Sequence, residues 1–224
     1  MLDGDAIGLG RLADQMFEAV IFDMDGTLID STPAVLRSWA TWAAEHGLTP
    51  DDLKGQHGVP SAGVVRALLP EPLQEAAIER INELEIGDVE GIVVLPGAAE
   101  ALAALRSAKN AIATSCTRPL ANARIRAAHL TPPSIVVTVD DVARGKPHPD
   151  PFLEAARRLE VDPTRCLVVE DAPKGLQAAS AAGCATLAVV TTTPRDELDS
   201  DGVVPDLSAV TFTATPEGIT VRLA

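Results

Sequence analysis

The chain has 224 residues, enough for one large domain or a core with a small insert. Its apolar fraction of 46% supplies a sizeable core, and that core is aliphatic because aromatic residues are only 3% and Tyr is absent. A net charge of −14 excludes nucleic-acid backbone, which needs a basic face, and disfavours anionic membranes. A phosphorylated ligand stays open, since a bound cation and one or two lysines reverse the field locally.

The cysteines, Cys116, Cys166 and Cys184, form no C-x-x-C pair and have no His cluster beside them, so a structural zinc site is not expected. Cys166 and Cys184 sit in apolar runs and read as small core residues. An odd, scattered set suits a reducing compartment, so a cytoplasmic protein is expected. Residues 1–15 carry Asp3, Asp5 and Asp14 without a long apolar run, so neither a signal peptide nor a membrane span is expected.

In chain order, residues 1–15 are weakly patterned, and Met16 stands directly before the first clear element. The run from Glu18 to Phe22 reads as a short buried strand entering Asp23-Met-Asp-Gly-Thr27. From Pro33 to about Gly47 the spacing is helical, with Trp39 and Trp42 on one face as packing residues. Gly55, Gly58 and Pro60 interrupt, and helical patterns resume over 61–69 and 72–86. Residues 31–94 therefore read as all-helical, without a strand. After Pro96-Gly97 the rhythm changes: helices over 98–107, 119–128, 151–159 and 173–182 alternate with strands over 111–115, 135–138, 166–169 and 185–190. Gly183 is placed to stop the last helix. Weak strands follow near Val210 and Ile219. This alternation predicts an α/β fold, a Rossmann-like doubly wound parallel sheet. Residues 1–30 and 95–224 form that core, and an all-helical cap, 31–94, is inserted after the first strand.

Ligands of such sheets bind at the carboxyl ends of the strands. There the sequence places Asp23 and Asp25, then Thr114 and Ser115, then Asp140, Asp141 and Lys146, and finally Glu170 and Asp171. Crowded carboxylates repel unless a cation lies among them, and hard oxygen ligands favour Mg2+.

Four segments together resemble the haloacid dehalogenase superfamily: Asp23-Met-Asp-Gly-Thr-Leu28, Ala111-Ile-Ala-Thr-Ser115, Arg144-Gly-Lys-Pro-His-Pro149 and Val168-Val-Glu-Asp-Ala-Pro-Lys-Gly175. The nearest branch is that of sugar phosphatases, glycerol phosphatases and β-phosphoglucomutase, with a small helical cap. The resemblance implies that Asp23 is a nucleophile forming an aspartyl-phosphate and that Asp25 is the general acid and base. Ser115 and nearby backbone amides would hold phosphoryl oxygens, and Lys146 would neutralise charge. It further implies Mg2+ on Asp23, on the Asp25 carbonyl and on Asp171, with Glu170 a ligand directly or through water. Gly26 lets the backbone turn behind the nucleophile. Gly26, Thr27, Thr114, Cys116 and His57 complete the expected phosphate- and substrate-binding set.

The expected activity is hydrolysis of a small phosphorylated metabolite, a sugar or polyol phosphate, by a monomer or small homo-oligomer. The alternative is a β-phosphoglucomutase-like mutase. Where many relatives carry a cap Arg after a His-Gly pair, this chain has Pro60, which argues for hydrolysis. Asp25 disfavours dehalogenation, and Lys54 is the only nearby candidate for the imine that phosphonate cleavage would need. Cys116 replaces the Gly that follows the second-motif Ser in relatives.

Overall fold

The computed structural model describes residues 7–53 and 60–224; Lys54 and His57 lie outside the described residues. The central strands are β1 (Ala19–Phe22), β4 (Lys109–Ala113), β5 (Ile135–Val137), β6 (Cys166–Glu170), β7 (Ala185–Val189) and β8 (Gly202–Val204). They form one sheet in the order β5-β4-β1-β6-β7-β8, every pair parallel. The chain winds from β1 outward to β5, then returns across β1 to build β6, β7 and β8. β1 therefore lies at the centre, where the winding reverses, which is where such sheets open a crevice.

Alternate residues of β1 feed the two faces of the sheet, as strand periodicity requires. Val20 and Phe22 join one apolar cluster with Leu102, Leu120 and Ile125. These come from helices α4 (Ala98–Ala104) and α5 (Arg118–Ala127). Ala19 and Ile21 join the other cluster with Phe152, Ala155 and Ala179, from α6 (Asp150–Leu159) and α7 (Pro173–Ala181). Pro119, Pro151 and Pro173 each stand in the first turn of their helix, where a missing N–H costs nothing.

Between β1 and β4 the chain builds α1 (Thr32–Glu45), α2 (Ser61–Leu68) and α3 (Glu71–Gly87). These helices share a separate apolar cluster of Trp42, Ala43, Val65, Ala77 and Ile81. Trp42 is fully buried, its indole Nε1–H donating to the Ala77 carbonyl at 2.9 Å. Trp39 meets it edge to face, with ring centroids 5.2 Å apart. Both tryptophans thus pack as the sequence spacing indicates.

Two features depart from the sequence reading. Residues 31–94 are not strand-free: β2 (Ile29–Asp30) and β3 (Val93–Val94) pair antiparallel where the chain leaves and re-enters the sheet layer. A two-residue ladder is too short to leave any periodicity in a sequence. β8 was also unforeseen, because Gly202-Val203-Val204 is only three residues long. The weak strands near Val210 and Ile219 are an antiparallel hairpin, β9 (Val210–Thr215) and β10 (Gly218–Leu223). Its Phe212 lies edge to face with Phe22. Leu9 and Leu12 of the weakly patterned leader are buried, and Gly8 bridges to Val203.

Candidate active site

β1 ends at Phe22, and the Asp23 amide still donates to the Val169 carbonyl of β6 at 2.9 Å. That last bond holds the Asp23 carboxylate at the strand edge, only 6% exposed. Glu170 closes β6, and Asp171 follows it. Lys146 arrives from the loop after β5 and is buried, with its ammonium 5.1 Å from the centre of the Phe152 ring. It donates to Asp23 Oδ1 and, at 2.8 Å, to Glu170 Oε1. Glu170 Oε2 accepts from the amides of Asp171 and Ala172, both at 2.7 Å. Asp171 accepts from Thr27 Oγ1 at 3.1 Å and from the Thr192 hydroxyl.

Asp23, Glu170 and Asp171 bring carboxylate oxygens within 4.8 Å of one another, and all three are buried. Three such charges face a single Lys146. Burial drives the Asp23 carboxyl well up, opposed by Lys146 and reinforced by Glu170 and Asp171. Burial also pushes Asp171 up to about 7, with Glu170 adding to it. Burial works against the Lys146 ammonium, but Asp23 and Glu170 outweigh it and hold its pKa above the ordinary value. A hard divalent cation would relieve this excess of negative charge, so the donor set fits Mg2+. Gly26 adds to the fit: its φ is +88°, and a Cβ there would collide with the Asp171 carboxylate. Only glycine lets the turn after Asp25 close this tightly.

The Asp25 carboxylate stands apart from the three clustered carboxylates. Its Oδ1 accepts from Ser31 Oγ at 2.6 Å and faces Arg124 Nη1 at 3.0 Å. Its Oδ2 accepts from the Cys116 thiol at 3.1 Å. Burial, then Asp25, raises the Cys116 pKa well above its usual value, so the thiol keeps its proton. Thr114 and Ser115 line the same cavity, of ≈ 390 Å³, as do Asp23, Asp25, Gly26, Cys116, Lys146, Glu170 and Asp171. Its far walls come from the helical layer, including Val35, Trp39 and Val64. A larger groove, of ≈ 810 Å³, is lined by residues such as Asn110, His129 and Glu160 and shares none of these groups.

Two placements differ from the sequence reading. The Thr27 hydroxyl is committed to Asp171, so Thr27 holds a carboxylate and does not line the cavity. Asp140 and Asp141 stay out of the carboxylate cluster. Asp140 accepts from the Arg118 amide at 2.7 Å, and Asp141 pairs with Arg118 and Arg158. These partners keep Asp141 well below the ordinary carboxylate range against the effect of burial.

Arg124 and Glu85 went unnoticed in the sequence, as did Ser31 and Thr192. A signal existed for the first two. Arg124 interrupts the buried face of α5 formed by Leu120, Ala121 and Ile125. Glu85 continues the buried row Ala77 and Ile81 on α3. A charge inside a buried row demands a partner, and these two pair with each other at 2.9 Å.

Residues 17–183 match the model of the haloacid dehalogenase-like hydrolases. The chain belongs to that family, and its six-stranded parallel sheet with surrounding helices is the Rossmann-like fold expected of it. It is 40% identical over 205 residues to hexitol phosphatase A of Escherichia coli, covering 88% of this chain and 95% of that one. It is 33% identical over 202 residues to glycerol-1-phosphate phosphohydrolase 2 of Saccharomyces cerevisiae, covering 82% and 79%. Among solved structures, CbbY from Rhodobacter sphaeroides in complex with xylulose-(1,5)bisphosphate superposes with a TM-score of 0.77 at 26% identity, over 86% of this chain and 96% of that one. No helix among the described residues is long and apolar enough to cross a membrane.

Proposed function

We propose that the protein is a Mg2+-dependent phosphatase that hydrolyses a small sugar or polyol phosphate through phospho-Asp23. That it is a phosphoric monoester hydrolase follows from its family together with the phosphatases among its relatives. The observation that carries the finer reading is the buried grouping of Asp23, Lys146, Glu170 and Asp171 on the floor of a cavity that Asp25 also enters.

In the first step an Asp23 carboxylate oxygen bonds to phosphorus while the bond from phosphorus to the alcohol oxygen breaks. Asp25 gives its proton to that departing oxygen. In the second step water attacks phospho-Asp23, the acyl phosphate bond breaks, and Asp25 takes the water's proton. Lys146, between Asp23 and Glu170, opposes the rise that burial imposes on the nucleophile's pKa and balances charge on the phosphoryl group. Ser115, Thr114 and neighbouring backbone amides hold the phosphoryl oxygens. Mg2+ would sit on Asp23, Asp171 and the Asp25 carbonyl, with Glu170 alongside, and would supply electrostatic stabilisation of the phosphoryl oxygens.

Residues 31–94 act in this reading as a cap that opens for substrate and closes to exclude bulk water, with hinges near the two crossings of the β2–β3 ribbon. The separate apolar cluster around Trp42 supports a unit that moves as a whole.

The test is phosphate release from sugar, polyol and nucleotide monophosphates, with Mg2+ and with chelator. Magnesium-dependent release from sugar or polyol phosphates is expected. Isomerised product in place of steady inorganic phosphate would establish a mutase instead.

A further inference from the structure

Next to Asp25 the cavity holds a polar pair that the steps above leave without a task. Arg124, on α5 of the sheet layer, and Glu85, on α3 of the helical layer, are 4% and 6% exposed. Both line the cavity. Arg124 Nη2 meets Glu85 Oε1 at 2.9 Å, while Nη1 meets Asp25 Oδ1 at 3.0 Å and Cys116 Sγ at 3.2 Å. Its Nε–H has no partner among the described residues. The wall facing them is apolar where Val35, Leu36 and Val64 form it, and Trp39 beside them hydrogen-bonds the Glu85 carboxylate. From the phosphoryl end outward, the polar groups therefore run Asp23 and Lys146, then Asp25, then Arg124, then Glu85.

Asp25 is where the leaving-group oxygen must sit, so the rest of the leaving group extends toward Arg124 and Glu85. A lone arginine there would anchor a second phosphate, because a guanidinium matches that anion's geometry. This arginine is bracketed by two carboxylates. With Asp25 protonated as the general acid, Arg124 and Glu85 sum to zero, which leaves no net positive charge to hold a phosphate that carries about −1.5 to −2 near neutrality. A hydroxyl group needs no such charge. It can donate to Glu85 and accept from Arg124 at once.

We propose that Glu85 and Arg124 determine specificity for the leaving group: they hydrogen-bond the hydroxyls of a neutral, polyhydroxylated alcohol and reject a second phosphate. This rests on the reading of Asp23 and Asp25 as a phosphomonoester site. The pair spans both layers, so it is complete only when the helical layer sits on the sheet layer, as it does here.

The experiment compares kcat/KM for three six-carbon substrates: a hexitol monophosphate, the hexitol 1,6-bisphosphate and hexyl phosphate, which has no hydroxyl. The wild-type enzyme is expected to prefer the monophosphate over each of the others by about tenfold or more, the scale of one or two buried polar contacts. In Glu85→Gln the preference over the bisphosphate falls about tenfold, because Arg124 is less neutralised. In the double variant Glu85→Gln with Arg124→Gln that gain for the bisphosphate disappears. A merely structural role would lower all three substrates together and leave the ratios unchanged. Unchanged ratios in Glu85→Gln, or a bisphosphate gain that survives loss of Arg124, would overturn the proposal. So would a wild-type enzyme that cleaves hexyl phosphate or the bisphosphate as well as the monophosphate, a comparison that needs no variant to fold. Absence of phosphate release from all three and from the wider panel would instead refute the phosphatase reading beneath it.

Discussion

Replacing Asp171 with Asn should stabilise the metal-free protein while destroying its function. Asp171 is 4% exposed and shares its surroundings with Glu170 and Asp23, and its pKa stands at about 7 against an ordinary 3.8. A folded-state value raised above the unfolded one means that folding favours the protonated carboxyl. The resulting stability is fully present below pH 3.8 and is lost as the pH rises through about 7. Each pH unit of this interval is worth about 1.4 kcal/mol, so ionised Asp171 costs about 4 kcal/mol at pH 8 and about 2 kcal/mol at pH 5. Asn keeps the shape and can still bond the hydroxyls of Thr27 and Thr192, but it carries no charge. At about 2–4 °C per kcal/mol for a chain of this size, Asp171→Asn in chelator should melt about 8–16 °C above wild type at pH 8, and by about half that margin at pH 5. Thermal melts followed by circular dichroism at both pH values measure this. Mg2+ should raise the wild-type midpoint at pH 8 and leave the variant unmoved. A variant that melts no higher than wild type at pH 8 in chelator, or whose advantage grows toward acid, would refute the reasoning.

Other outcomes follow from the same site. Asp23→Asn should lower phosphate release by at least about a thousandfold with an unchanged circular dichroism spectrum, since loss of a nucleophile removes the covalent route; turnover retained in that variant would remove Asp23 from its role. Excess chelator should silence the enzyme and added Mg2+ restore it, and phosphate release that persists in chelator would contradict the metal assignment. Gly26→Ala should lose about 1–3 kcal/mol of stability in urea unfolding, because alanine is strained at a φ of +88° and its methyl meets the Asp171 carboxylate; a neutral result would mean that the turn can relax.

Much of this protein was written in local sequence. Strand and helix alternate from Pro96 onward with periods that any chain must obey, and proline marks the first turns of α5, α6 and α7. Local pattern therefore suffices to place the polar residues next to strand ends, Asp23, Asp25, Glu170 and Asp171, at one edge. Lys146 was legible too, through its motif. What local sequence could not carry was the partner of each charge. Thr27 follows the nucleophile motif like a ligand residue, yet its hydroxyl is taken by Asp171, which lies 144 positions along the chain. Asp140 and Asp141 occupy a strand end like the others, but Arg118 and Arg158 claim them. The two-residue strands β2 and β3 have no pattern of their own and exist only because the chain crosses twice at one place.

Sequence alone thus determined the longer elements, the parallel α/β class of the sheet and most of the residues at its carboxyl edge, because periodicity, prolines and glycines act over a few residues. Only the tertiary structure decided which charges meet. Arg124 and Glu85 stand 39 positions apart on different layers, and each is a mere interruption of an apolar row until the two helices pack. A buried charge is tolerated only where folding brings an opposite one within reach, and that distance is a property of the packed molecule.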